Sequence, residues 1–256
     1  MSKMPVIFVG HGSPMNAIED NQYTRGWRKM AEKIPKPEAI ISISAHWFTK
    51  GTRIMNERNQ KTIYDMFGFP EELYKIEYNA PGKPELAATA KGLITKTSVF
   101  DNSWGIDHGT WSVLVHMYPE RDIPVFQISI DVSAPPEEHY KIGMELKALR
   151  HQGVLIFGTG NIVHNLRLLD WGMTDSGFDW ANEFDTYVVD SIANREHENI
   201  INYLSMGKGA KLSVPTPEHF YPILYILGAS DEEDKISIYN KSCMVGSLSM
   251  TSYLFS

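Results

Sequence analysis

What most constrains this chain is a set of short runs dominated by apolar residues. Residues 5–9, 39–45, 124–130 and 154–157 each read this way. A strand that is apolar on both faces is covered on both sides, as in a parallel sheet between layers of helices. Segments with helical periodicity fall between the runs, at residues 24–34, 84–96, 136–150 and 178–203, and Pro84 suits a first helical turn. Alternation of strand and helix predicts right-handed crossovers in one sheet. Further strands are expected around residues 236–239 and 244–254, and another helix from Thr216. The expected fold is therefore α/β: a single domain over residues 1–256, with a mixed, mostly parallel central sheet flanked by helices.

Bulk properties narrow the partners. The 256 residues carry a formal net charge of −7, and no dense Lys/Arg run is present to track a phosphate backbone, so nucleic acid is not an expected partner. Cys243 is the single cysteine, which rules out an internal disulfide and a thiolate metal cluster. Its apolar surroundings predict a small buried thiol. No secretory leader pattern opens the sequence, and no apolar run approaches the roughly 20 residues a membrane helix needs. A soluble, cytoplasmic protein without a membrane partner is expected, of unspecified oligomeric state.

Histidines stand where the apolar runs end. Residues 5–10 lead into His11, 39–45 into His46, and 154–161 towards His164, while His219 follows Pro215-Thr216-Pro217-Glu218. Ligands bind open α/β sheets outside the carboxyl ends of the strands, and neutral imidazole is a common metal ligand. A mononuclear metal site at the C-terminal edge of the strands is therefore expected, with His11 and His46 as the leading pair. Thr216 as N-cap with Pro217 at the first helical position would set His219 in a first turn. Adjacent Glu218 is the competing third ligand, because consecutive helical residues point about 100° apart. His164 is either a fourth ligand or a free acid/base. Gly158-Thr159-Gly160 has the start of a dinucleotide fingerprint, but Val163 stands where its third glycine belongs. Ser13 lacks a nucleophile elbow, since Met15 replaces the second glycine. His108, beside Asp107, is a candidate on the substrate side. His116, His139, His151 and His197 lie in helical or polar stretches and read as ordinary residues. Residues 56–79 form a long connection rich in aromatics and turn residues, a length that in compact domains usually serves function.

Six pieces then occur in order along the chain: Gly10-His11-Gly12-Ser13-Pro14; Ser44-Ala45-His46-Trp47; Tyr64-Asp65-Met66-Phe67-Gly68-Phe69-Pro70-Glu71-Glu72-Leu73-Tyr74; Asp107-His108-Gly109-Thr110-Trp111; Gly158-Thr159-Gly160-Asn161-Ile162-Val163-His164-Asn165-Leu166; and Thr216-Pro217-Glu218-His219-Phe220. On these the sequence resembles the DOPA 4,5-dioxygenase (extradiol) family of the class III extradiol ring-cleaving dioxygenases. The resemblance implies cleavage of a catechol ring with O2 at non-haem Fe(II), with Zn(II) occupying the site in some members as isolated. It implies His11, His46 and His219 as metal ligands, His219 standing where more distant relatives use a glutamate. It also implies His164 as acid/base and His108 beside the substrate. Trp47, Phe67 and Trp111 are the expected contacts to the substrate ring. Two other readings accompany this one: a zinc-dependent hydrolase or amidase on the same scaffold, and a non-catalytic metal-binding or chelatase-like protein.

Overall fold

Residues 3–256 are described by a computed structural model. Six strands form the central sheet: β1 (Val6–Gly10), β2 (Ala39–Ser44), β3 (Val125–Gln127), β4 (Val154–Gly160), β5 (Ile236–Tyr239) and β6 (Ser252–Phe255). Their spatial order is β3-β2-β4-β1-β6-β5. The pairs β3/β2, β2/β4 and β4/β1 are parallel, and β1/β6 and β6/β5 antiparallel. The sheet is thus mixed and mostly parallel, as its apolar runs predict.

Both faces are covered, and the residues of each strand divide between two cores. Phe8, Ile41, Ile43 and Ile156 point to one side, and Ile7, Val9, Ile40, Leu155 and Phe157 to the other, the two-residue period of a pleated strand. Helices α1 (Gln22–Ala31) and α3 (His108–Met117) supply Trp27 and Trp111 to the second core. On the first side lie α2 (Pro84–Leu93), α4 (Pro136–Leu146), α5 (Asp179–Ala193) and α6 (Pro222–Ala229), contributing Leu86, Ile142, Phe184 and Leu224. Among the described residues, no helix is long and apolar enough to cross a membrane.

Two expected helices differ. The one expected over residues 178–203 stops at Ala193, where Arg195 takes a positive φ of 61° before a short helix at His197–Ile201. The helix expected from Thr216 starts only at Pro222. Thr216 donates its hydroxyl to the Glu218 carboxylate instead of capping a helix, and residues 216–221 form turns. Pro222, not Pro217, occupies the first helical turn, where a missing N–H costs nothing.

Candidate metal centre

Parallel register brings the histidines together. Strand β4 lies between β1 and β2, pairing Gly10 with Gly160 and Ser44 with Thr159. The chain therefore leaves all three strands at the same level, placing His11, His46 and the 161–164 segment side by side. The His11 amide still donates to the Gly160 carbonyl, and the Asn161 amide donates to the His219 carbonyl, which draws in the 216–221 turn. A Cβ on Gly160 would sit 2.1 Å from that His219 oxygen, so only glycine permits the approach.

One potential ligand atom from each of His11, His46 and His219 lies within 4.8 Å of the others. Each ring has a partner behind it. The Thr159 hydroxyl donates to the Gly109 carbonyl at 2.6 Å, so its oxygen accepts from His11 Nδ1 at 2.9 Å. Asp65 Oδ2 lies 3.4 Å from His46 Nδ1, and Glu218 Oε1 3.3 Å from His219 Nδ1. With protons on the three Nδ1 atoms, the lone pairs are left on Nε2. His11 Nε2 and His46 Nε2 face each other at 3.2 Å with no proton between them, a repulsive contact that a cation relieves. The residues fit a metal ion. His219 is the residue that groups with His11 and His46 as a possible third donor, and the Glu218 carboxylate lies against its Nδ1.

Electrostatics agree with this arrangement. Burial and then the charge of neighbouring histidines hold His11 and His219 well below an ordinary histidine. The same causes push His46 down to about 3 and His164 to about 4. All four rings are therefore neutral near pH 7, the protonation state a metal ligand or a general base requires.

The other expected residues divide. His164 stacks face to face on His219, with centroids 3.5 Å apart and planes 6° from parallel. It is thus beside the three grouped histidines, with its backbone N–H bound to the Ser213 carbonyl. His108 opens α3, its ring 3.9 Å from that of His46. The carboxylate against its Nδ1 is that of Asp65, at 3.0 Å, and not that of Asp107. Asp107 is committed elsewhere: it N-caps α3 through the Thr110 amide and accepts from Ser44, Trp104 and Gln127. Trp111, expected against the substrate, is instead wholly buried, with its indole N–H bound to the Ile63 carbonyl. Trp47 is also buried and stacks parallel to Trp104. Phe67 stands 92% exposed at the tip of the 56–79 loop. Ser13 caps the turn Pro14–Ala17, and Cys243 is buried with its thiol pushed up by burial.

Three contributors escaped the sequence reading. Thr159 and Asp65 matter through hydrogen bonds across the fold that no local spacing announces. Gly109 sits where a Cβ would lie 2.7 Å from the His46 ring and 3.3 Å from His11, so its absence of a side chain lets α3 close over the site. A glycine in a first helical turn is the one signal that pointed to it.

The family described as "Catalytic LigB subunit of aromatic ring-opening dioxygenase" matches residues 3–256. The chain belongs to this family. An Escherichia coli (strain K12) protein named 4,5-DOPA dioxygenase extradiol is 45% identical, over 98% of this chain and 94% of the relative. A Beta vulgaris protein of the same name is 38% identical, over 97% and 95%. A crystal structure of an uncharacterized protein from E. coli K12 shares 42% identity, covering 99% of this chain and all of that one, with a TM-score of 0.86. As a LigB-family member the protein is a ring-opening dioxygenase, an oxidoreductase of a metal-dependent family.

Proposed function

We propose that the protein is an extradiol dioxygenase that opens a catechol bearing a polar side chain, DOPA-like or a related phenolic, with O2. The observation that carries this reading is the set of three neutral imidazoles with one ligand atom of each within 4.8 Å of the others, and two further histidines alongside. His11, His46 and His219 would hold Fe(II), while Zn(II) suits the same donors and would occupy the site without supporting redox turnover. Bound there, Fe(II) supplies Lewis acidity towards the catechol oxygens and the electron transfer that O2 chemistry requires.

The chain's own residues do the rest. His164, neutral because of burial, takes a proton from a catechol hydroxyl at a ring nitrogen and returns it as the ring opens. Its stacking on His219 holds it in place without using either of its nitrogens. His108, with Nδ1 against Asp65, presents Nε2 to the substrate. Phe67 is the aromatic ring of the long loop free to cover a bound catechol and exclude water. The names of the E. coli and Beta vulgaris relatives support the substrate class.

The test is direct. Protein loaded anaerobically with Fe(II) is mixed with a panel of catechols and O2. Oxygen uptake with formation of a yellow ring-opened semialdehyde is expected. An absence of uptake across the panel overturns the reading, and zinc-supported turnover without oxygen consumption would replace it with a hydrolase.

A further inference from the structure

Asp65 belongs to the 56–79 loop, yet its carboxylate lies among the histidines. Oδ1 accepts the His108 backbone N–H at 2.9 Å. Oδ2 lies 3.0 Å from His108 Nδ1 and 3.4 Å from His46 Nδ1. The two imidazoles are neighbours, with centroids 3.9 Å apart, so a single oxygen stands against both. On either side of Asp65 the loop changes character. Before it, the Ile63 carbonyl accepts from the Trp111 indole, and the Tyr64 hydroxyl donates to the Ile76 carbonyl. After it, Phe67 is exposed and Gly68, with φ of 80°, has nothing within 4 Å of where a Cβ would stand.

The geometry points to Asp65 as a positioning residue that ties this loop to the metal centre, one carboxylate fixing the Nδ1–H form of both His46 and His108. Neither ring nitrogen is in hydrogen-bond geometry with the carboxylate, but an acceptor-only charge this close favours a proton over a lone pair on each Nδ1. An asparagine amide would aim its own donors at one of them and favour the other tautomer. A metal ligand held in the wrong tautomer presents a proton instead of a lone pair, and loss of such an orienting partner typically weakens metal binding about 10- to 100-fold. Because Asp65 also holds the loop, the coupling runs in both directions: metal that fixes His46 steadies the stem, and a displaced stem loosens the metal. The inference rests on the metal reading of His11, His46 and His219 and is independent of the substrate.

The experiment uses full-length protein stripped with a chelator. Zn(II) affinity is measured by competition with a chromogenic chelator for wild type, D65N and D65E. Nitrogen NMR of the metal-free wild type reports the His46 and His108 tautomers, and hydrogen exchange follows residues 61–78 with and without Zn(II). The expected results are a 10- to 100-fold weaker affinity in folded D65N with partial recovery in D65E, both wild-type rings protonated at Nδ1, and Zn(II)-dependent protection of the stem that D65N lacks. Wild-type affinity in folded D65N overturns the proposal. So does a wild-type His46 protonated at Nε2, a measurement that requires no variant to fold. Failure of the catechol assay alone would leave these readouts standing, so the two readings fail separately.

Discussion

His164 separates holding a metal from moving a proton. In H164A the three Nδ1 partners of the ligands are untouched, so metal affinity should stay near wild type by chelator competition while kcat falls about 10²- to 10⁴-fold. Loss of the metal in this variant would make His164 a ligand. Thr159 gives the complementary prediction. T159V keeps the shape of the side chain but removes the acceptor behind His11, so Zn(II) affinity should fall about 10- to 100-fold. At this scale His11, His46, His164 and His219 were legible because each follows a strand or a marked turn. Asp65 and Thr159 were not, because their roles arise from partners brought together only by the fold. Trp111's burial was hidden for a related reason: its indole N–H binds the Ile63 carbonyl, a partner that only the fold brings to it.

At the scale of elements, the close seat of α3 on the strand ends sets the site. Adding one methyl in G109A must move the His46 ring or the helix, and overpacking of this kind costs about 1–3 kcal/mol. Denaturant melts should show that loss together with weaker metal binding. The long loop yields a kinetic prediction. If Phe67 covers substrate as proposed, F67A should raise the catechol KM several-fold with a smaller effect on kcat; an unchanged KM would remove Phe67 from the binding surface. The buried strands and their helices were readable from apolar runs and periodicity. The start of α6 was not, because Thr216-Pro217 carries a capping signature that the true start at Tyr221-Pro222 lacks, and Thr216 is committed to Glu218 instead.

At the scale of the molecule, burying several neutral histidines links stability to pH. His46 and His164 titrate in the folded state at about 3 and about 4, against about 6.5 when unfolded. Between these values the unfolded chain binds more protons, so stability is full above pH 6.5 and is lost as pH falls. Melts of the metal-free protein should therefore weaken between pH 6.5 and 5, before carboxylates titrate, and H164A should show a shallower slope. At the opposite end of the sheet, buried Arg150 binds Asp234 through two nitrogens and also the Met4 and Ala229 carbonyls. R150A removes the guanidinium and its four buried hydrogen bonds but leaves Lys3 2.7 Å from Asp234, so the expected cost in urea unfolding is about 1–3 kcal/mol, with no direct effect on the clustered histidines. The pairing of Val6 with Phe255 has a consequence in time. As the ribosome delivers the chain, β1 emerges early but lacks one of its two neighbours until β6 has been made, and His219 likewise arrives late. A nascent chain thus brings the His11, His46 and His219 rings together only after residue 219 has been made.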